Sequence, residues 1–357
     1  MNSRQVNEMF QVIKTMLAIL VAMVFAFLFI LLISNEPLTA LKAFLTGPFS
    51  SIRRFGNMIE FFIPVCFTAL GACVIFAIGQ CSVIGEGCIF FGGLLAAWVT
   101  IKMGTGGVVT QIVAFLAASL ICGLIAMIPM YLKLKYNADL FVDSLMLNYV
   151  LLYVGTFILN YSIRDPEIGM TASYTMPQGS ALTVLVEKTQ ITTALPLAVI
   201  AVILVVIFME KTSVGYQMRM VGANEKFARY SGMSIGALCM LSAFLGGVLS
   251  GAGGAAEILG RYERFQWLGL PGFGWDGILI ATIAGFKARN VPIAALFIAY
   301  IRTGADIMNR TSDVPSELII AIQSLLILMI ASRGFLSKLH QRLIVRHVKS
   351  NAAESGV

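Results

Sequence analysis

The chain has 357 residues, of which 58% are apolar and only 12% are charged, and it carries a formal net charge of +7. A soluble domain is about one quarter charged, because much of its exterior must meet water. The composition therefore excludes a soluble fold and predicts an all-α polytopic membrane protein, built from helices of about 20 residues.

Apolar runs predict about ten transmembrane helices, within a range of eight to ten. In chain order they are expected at residues 16–33, 58–79, 88–101, 108–132, 140–159, 191–209, 235–256, 276–286, 292–303 and 316–332. Pro64 is a candidate kink in the second helix. The chain is expected to form one transmembrane permease domain, 1–357, with halves at 1–190 and 191–333 and a basic cytoplasmic tail at 334–357.

Basic residues predict the orientation of these helices, because Lys and Arg are enriched in cytoplasmic loops. The connection 210–234, the loop at Lys133 and Lys135 and the basic tail are expected in the cytoplasm, together with both chain termini. The polar segment 160–190 is expected outside, and the arginines at 53–54 would lie there too, against the rule. The basic residues form no aromatic-basic stripe, so nucleic acid is not an expected partner.

Two short helices open with the same pattern, an acidic residue followed by glycine after a glycine-rich break. Glu86-Gly87 opens the third helix, and Asp276-Gly277 opens the eighth. Five crossings separate them, so the two units would have opposite orientations. Inverted repeats with broken helices are a recurring transporter design. Two ordinary loop–helix junctions would give the same pattern, so both interpretations stay open here.

The sequence contains no G-x-x-x-x-G-K-[ST], H-E-x-x-H or Cys-x-x-Cys motif. Its six cysteines lie within or beside apolar runs, and both histidines lie in the basic tail. We therefore expect no catalytic residue and no metal site in this chain.

The segment 222–233, Gly-Ala-Asn-Glu-Lys-Phe-Ala-Arg-Tyr-Ser-Gly-Met, predicts a helix of about two turns between two membrane helices. Its ends carry residues suited to helix entry, first turn and stop: Gly222, Asn224, Glu225 and Gly232. Phe227 and Tyr230 share one face. That face would either insert into a groove on a partner or lie on the lipid surface.

This segment resembles the coupling motif of permease subunits from ABC importers of the branched-chain amino acid, ribose and nucleoside type. The family pattern, close to G-x-N-x-x-A-A-R-x-x-G, is matched by Gly222, Asn224, Ala228, Arg229 and Gly232. Residues 146–149, 249–260, 272–278 and 314–318 resemble further family segments, and they fit the simple-sugar and nucleoside branch better than the amino acid branch. The resemblance covers most of residues 40–333.

One departure concerns the first break, where the family usually reads N-x-G-x-E-G-Q. This chain keeps Glu86 and Gly87 but has Ser82, Ile84 and Cys88 in place of Asn, Gly and Gln. The departure puts the exact substrate in doubt more than the family.

The resemblance implies the transmembrane subunit of a type II ABC importer for a nucleoside or simple sugar, in the bacterial cytoplasmic membrane. It implies a non-enzymatic subunit without cofactors, because ATP and Mg²⁺ would be bound by a partner. The implied partners are an ATP-binding cassette subunit, a second permease subunit (a copy or a paralogue), and an extracytoplasmic solute-binding protein or lipoprotein. The implied coupling residues are Gly222, Asn224, Glu225, Phe227, Ala228, Arg229 and Gly232.

A path for such solutes needs neutral hydrogen-bonding groups and aromatic faces. Candidates are Ser82, Asn148, Tyr149, Trp275, Asn309 and Gln323, together with the acids Glu86 and Asp276. Each polar candidate has an alternative role in helix–helix hydrogen bonding, and the two acids have one as caps of the short helices. An ion-coupled secondary transporter and an intramembrane enzyme acting on a lipid-linked sugar remain as alternative functions.

Overall fold

The computed structural model describes residues 37–187, 189–311 and 324. Its helices are α1 (Pro37–Thr46), α2 (Ile52–Ala77), α3 (Gly85–Met103), α4 (Val108–Tyr136), α5 (Leu140–Ile158), α6 (Ala194–Lys211), α7 (Ser213–Ala223), α8 (Glu225–Tyr230), α9 (Ile235–Arg261), α10 (Phe273–Ile283) and α11 (Val291–Thr311). Residues 51–300 form one compact unit, and residues 37–50 and 301–311 belong to a second. The helical architecture confirms the predicted all-α fold.

Within the described ranges, seven helices are long and apolar enough to cross a membrane: α2, α3, α4, α5, α6, α9 and α11, two of them (α5 and α11) with short extensions. They match the predicted second to seventh and ninth helices. The shorter α10 matches the predicted eighth. The predicted first and tenth helices, 16–33 and 316–332, lie outside the described residues, so the total of ten stays a prediction.

Two helix boundaries differ by six residues or more from those predicted. Helix α2 begins at Ile52 instead of residue 58, because the Ser51 hydroxyl accepts a hydrogen bond from the Arg54 N–H and caps the helix. Helix α11 continues to Thr311, eight residues past its apolar run, and an ion pair between Asp306 and Arg310 lies in that extension. The ten-residue α1 was not predicted at all.

Helix α9 packs closely against α2, α3 and α4 because its inner face carries small residues. A Cβ added at Gly251 would lie 2.6 Å from the Cβ of Cys122 on α4, and one at Gly71 on α2 would lie 2.7 Å from the Gly246 carbonyl oxygen. Lipid provides no hydrophobic drive between helices, so close backbone approach is a main source of their association.

The long connection after α5 meets two other connections at one end of the 51–300 unit, called here the loop end. The Gln111 side chain at the start of α4 donates to the carbonyls of Gly179 and Ala181. The N–H groups of Met176 and Leu182 donate to carbonyls at the end of α9 and just beyond it. The connections α3–α4, α5–α6 and α9–α10 therefore lie on one side.

The opposite end of the same unit, called here the elbow end, contains the break before α3 and the short helices α7 and α8. Lys133 at the end of α4 contacts the side chain of Gln80 in that break. Gly222 packs against residues 77–79 at the end of α2. A Cβ added at Gly222 would lie only 3.1 Å from the Gly79 nitrogen. Successive connections along the chain thus alternate between the loop end and the elbow end, as the predicted order of membrane crossings requires.

Candidate functional site

Helix α10 begins in the middle of the bundle and is capped by a side chain from another helix. Its N-cap residue is Gly272, at φ +86°, which has no side chain to accept from the first N–H groups. The buried carboxylate of Glu86, in the first turn of α3, does so instead. Its Oε1 accepts from the Gly272 N–H at 2.5 Å, and its Oε2 accepts from the N–H groups of Gly274 at 2.6 Å and Trp275 at 3.3 Å. Glu86 thereby satisfies donors that a helix start leaves unpaired.

The starts of α3 and α10, called here the junction, lie in direct backbone contact. A Cβ on Gly274 would lie 2.5 Å from the Glu86 Cα, so only glycine fits there. Asp276 is also buried in the first turn of α10. The two acid–glycine pairs of the sequence pattern thus meet in space. Five described spans, α3, α4, α5, α6 and α9, lie between them along the chain.

The chain before α3 is held by two side chains one turn apart on α5. The Ser144 hydroxyl accepts from the Val83 N–H at 3.0 Å. The Asn148 amide donates to the Val83 carbonyl and accepts from the Gly87 N–H, both at 2.9 Å. Gly87 has no space for a side chain, because its Cβ would lie 2.6 Å from the Asn148 oxygen. Asn148 therefore positions the backbone of the break.

Helix α2 contacts the start of α10 through Thr68, four residues after Pro64. The Thr68 hydroxyl lies 2.9 Å from the Phe273 carbonyl oxygen, which accepts its hydrogen bond. A Cβ on Gly277 would lie 2.7 Å from the Thr68 Cβ, so α2 and α10 touch closely at this point. The sequence suggests Pro64 as a kink and gives no signal for the role of Thr68.

The structure gathers only part of the predicted path residues around the junction. Ser82 is buried beside it, and its hydroxyl accepts from the Ile84 N–H at 3.4 Å. Tyr149 and Trp275 are exposed, with Trp275 in the first turn of α10. Asn309 is exposed on α11 and belongs to the smaller unit. Gln323 lies outside the described residues.

A second group of side chains lies where α9 ends, and no motif in the sequence predicts it. Arg261 contacts two buried acids: its Nε lies 2.7 Å from Oε1 of Glu60 on α2, and its NH1 lies 3.4 Å from Oε1 of Glu257 on α9. Charged residues inside transmembrane segments are rare and usually functional. The signal was therefore present in the sequence, as two acids within apolar helices.

Aromatic rings continue from this group towards α10. The Arg261 guanidinium lies 5.4 Å from the centre of the Tyr262 ring. Tyr262 packs edge-on against Trp267 at 6.0 Å, and Trp267 lies 6.2 Å from Phe273. Phe273 in turn packs edge-on against Phe61 of α2 at 5.7 Å. All four rings are half-buried, so each keeps an accessible part.

At the elbow end, the segment 222–232 contains the predicted short helix, α8. The Asn224 side chain accepts from the Phe227 N–H at 3.0 Å, which confirms Asn224 as the N-cap. Gly232 has φ +78° and ends the helix. Its N–H donates to the Arg229 carbonyl, and the Met233 N–H donates to the carbonyl five residues earlier, the pairing of a Schellman motif.

Gly222 does not serve as a helix entry, and that local prediction is wrong. It is the second-last residue of α7, where its missing side chain lets α7 approach the end of α2. A Cβ there would collide with the Ala77 carbonyl oxygen.

The outer face of α8 is aromatic and basic. Tyr230 is 92% exposed and Phe227 is 52% exposed, whereas Ala228 is fully buried and anchors the helix. Arg229 pairs with Glu225 one turn earlier at 3.1 Å, and both side chains are mostly exposed. The helix therefore presents two aromatic side chains that contribute little to the packing of this chain.

Comparison with known proteins matches residues 55–331 to the family model described as "Branched-chain amino acid transport system / permease component". The guanosine ABC transporter permease protein NupP of Bacillus subtilis is 26% identical over 333 residues, which cover 92% of this chain and 95% of NupP. The glucose ABC transporter permease protein TsgB13 of Haloferax volcanii is 27% identical, over 77% of this chain and 75% of TsgB13. The nucleoside ABC transporter permease protein NupB of Lactococcus lactis is 24% identical, over 89% of this chain and 91% of NupB.

Proposed function

This chain belongs to the permease-component family of branched-chain amino acid transport systems, and from that premise we propose that it takes up a nucleoside or a simple sugar as the transmembrane subunit of an ABC importer. The observation that carries the solute class is the alignment, along most of the chain, with permeases named for guanosine, glucose and nucleosides. As a permease, the chain is a transport subunit and not an enzyme. The family match leaves the secondary-transporter and intramembrane-enzyme alternatives without support.

An ABC importer permease works with an ATP-binding subunit and a solute-binding protein. We assign ATP and Mg²⁺ to the ATP-binding subunit. The second permease subunit would be a copy of this chain or a paralogue, and the solute-binding protein or lipoprotein would deliver solute at the loop end.

The charge distribution supports a cytoplasmic elbow end. Basic residues cluster there on the end of α4 and on the segments around α7 and α8: Lys133, Lys135, Lys211, Arg219, Lys226 and Arg229. Positive loops remain in the cytoplasm during insertion. The proposed location is the bacterial cytoplasmic membrane, with both termini in the cytoplasm.

Helix α8 is the proposed docking element for the ATP-binding subunit. Phe227 and Tyr230 would enter a groove on that subunit, because large aromatic side chains at the centre of an interface supply much of its binding energy. The buried Ala228 and the capped ends at Asn224 and Gly232 hold α8 in a fixed conformation on the surface of the chain.

A displacement of α8 has a contact route to the junction. Helix α7 leads directly into α8 and packs through Gly222 on the end of α2. Helix α2 carries Thr68, which bonds to the Phe273 carbonyl at the start of α10. We assign Glu86 and Asn148 to holding the two helix starts. Of the predicted path residues at the junction, the exposed ring of Trp275 is the candidate for solute contact.

The test is reconstitution in proteoliposomes with the cognate ATP-binding subunit and solute-binding protein. Guanosine and glucose are offered as radiolabelled solutes, with leucine as the amino acid control. Uptake of guanosine or glucose that requires ATP and both partners is expected. Uptake driven by an ion gradient without ATP would contradict the proposal, and so would ATP-dependent uptake of leucine alone.

A further inference from the structure

We propose that the connection between α5 and α6 transmits the docking of the solute-binding protein to the junction. Residues 164–182 of this connection are called here the strap. The proposal rests on the proposed function, because it names the segment of this chain through which one partner acts. The described residues of the connection, 164–187 and 189–193, contain no helix or strand. Connections of this length without secondary structure are uncommon in compact proteins and usually functional.

The strap is hydrogen-bonded to the connection between α9 and α10. Ser173 bonds to Phe265 twice: its N–H donates to the Phe265 carbonyl at 3.0 Å, and its hydroxyl oxygen accepts from the Phe265 N–H at 2.9 Å. Three residues further along the strap, the Met176 N–H donates to the Glu263 carbonyl at 2.9 Å. The two connections therefore run side by side and cannot move independently without losing these bonds.

An ion pair joins the first part of the strap to the same connection. The Arg264 NH1 lies 2.6 Å from Oδ2 of Asp165, a residue that is 8% exposed and 99 positions away in the chain. The other carboxylate oxygen of Asp165 accepts from the Glu167 N–H at 3.1 Å, and its own N–H donates to the Ala172 carbonyl. Charge-assisted hydrogen bonds are short and strong. A displacement of residues 165–173 would therefore take Arg264 with it.

Phe265 connects the strap to the two helices of the junction. Its ring is fully buried and packs edge-on against Phe90 of α3 and against Trp267, both at 5.7 Å. Phe90 lies one turn after Glu86, and Trp267 lies 6.2 Å from Phe273, the first residue of α10. Energetic coupling between distant sites is carried by packed side chains and hydrogen bonds. Here such contacts continue from the strap to the starts of α3 and α10.

The outer side of the strap is accessible to a partner. Met170 is 59% exposed and Tyr174 is 45% exposed, whereas Ser173, directly before Tyr174, is fully buried. Exposed residues thus alternate closely with the residues that hold Phe265. The strap belongs to the loop end, opposite the basic elbow end that we place in the cytoplasm. The partner that meets it there is the solute-binding protein, which delivers solute on that side.

The experiment measures the ATPase activity of the reconstituted complex during a titration with the solute-binding protein. That protein is loaded with guanosine, or with glucose if the wild type carries glucose. Two quantities are obtained: the maximal stimulation over the basal rate, and the concentration of solute-binding protein that gives half of it. The first quantity reports transmission, and the second reports docking.

Arg264→Met removes the ion pair and keeps a long side chain. The maximal stimulation is expected to fall by at least about fivefold, the lower end of the usual coupling between two sites. The half-stimulating concentration should stay unchanged, because the exposed side of the strap is intact. The matched control is Arg164→Met, an exposed cation at the start of the strap, which should leave both quantities unchanged.

Charge reversal separates transmission from packing. Asp165→Arg and Arg264→Asp should each reduce the maximal stimulation, and the double variant should restore most of it because the pair forms in reverse. A purely structural ion pair would instead lower the melting temperature in Arg264→Met and leave the maximal stimulation intact. If Arg264→Met does not fold, Ser173→Ala serves in its place, since it removes one bond to Phe265 and keeps the ion pair.

Full maximal stimulation in Arg264→Met overturns the transmitting strap. So does a raised half-stimulating concentration with an unchanged maximum, because Arg264 would then belong to the docking surface alone. In both cases the importer function stands, since wild-type uptake with ATP is unaffected. A wild-type complex that takes up neither guanosine nor glucose with ATP overturns the proposed function and the strap together, so the two failures are distinguishable.

Discussion

Removal of the Glu86 carboxylate should destabilise the 51–300 unit more than removal of an exposed carboxylate does. In Glu86→Ala the start of α10 loses the acceptor of three N–H groups, two of which bond at 2.5 and 2.6 Å. Glu86 is 1% exposed, so water does not readily replace it. The N–H groups would remain buried at a helix start, where the helix dipole also favours a negative charge.

The magnitude follows from those contacts. An unsatisfied buried donor costs about 1–3 kcal/mol. Loss of the two short bonds should therefore lower the free energy of unfolding by about 3 kcal/mol, if water partly hydrates the freed N–H groups. For a unit of this size, 1 kcal/mol lowers the melting temperature by about 2–4 °C. The expected decrease for Glu86→Ala is therefore about 6–12 °C. Glu86→Gln keeps one acceptor oxygen and should show about half of that decrease.

The measurement is thermal unfolding of the purified permease in one detergent. The matched control is Glu167→Ala, an exposed acid in the connection after α5, which is expected to stay within about 1 °C of wild type. Equal melting temperatures for Glu86→Ala and Glu167→Ala would refute the capping argument. So would a larger loss in Glu86→Gln than in Glu86→Ala.

Three further predictions concern the elbow end and the topology. Tyr230→Ala should reduce solute-stimulated ATPase by at least about tenfold while the melting temperature stays within about 2 °C, because this side chain packs on nothing in the described chain; unchanged ATPase would remove the docking role. Gly222→Val should cost at least about 2 kcal/mol and lower the melting temperature, because its Cβ would meet the backbone at the end of α2; a wild-type melting temperature would contradict that close approach. In a Cys81→Ser background, which removes the exposed native thiol, an impermeant maleimide should label Gly169→Cys in intact cells and should not label Lys226→Cys; the reverse labelling would invert the topology.

Much of the helix arrangement is readable from the sequence, because lipid requires long, continuous apolar runs. The runs identified every described span, with boundaries that differ by up to eight residues. The boundaries were wrong where polar residues continue a helix, as at the end of α11, or where a cap starts one early, as at Ser51. Those extensions depend on local hydrogen bonds and ion pairs that an apolar count does not include.

The candidate site was less readable, because its contacts join distant parts of the chain. The acid–glycine pairs identified both short helices, yet nothing local indicates that Glu86 caps a helix that starts 187 residues later. In the same way, the Asn148 amide has the chemistry of a solute ligand, but its hydrogen-bond partners are backbone groups of the break before α3. Local signals did succeed in α8, where Asn224 and Gly232 act within a few residues.

The length of α10 constrains how the protein is made. Eleven residues span about 16 Å, roughly half of the hydrocarbon layer. If such a segment entered lipid by itself, its first N–H groups would lie in hydrocarbon without acceptors. Their acceptor belongs to a part of the chain that has left the ribosome long before. We therefore expect biogenesis to be directional, with the short helix of the later half inserting only after the earlier half has assembled.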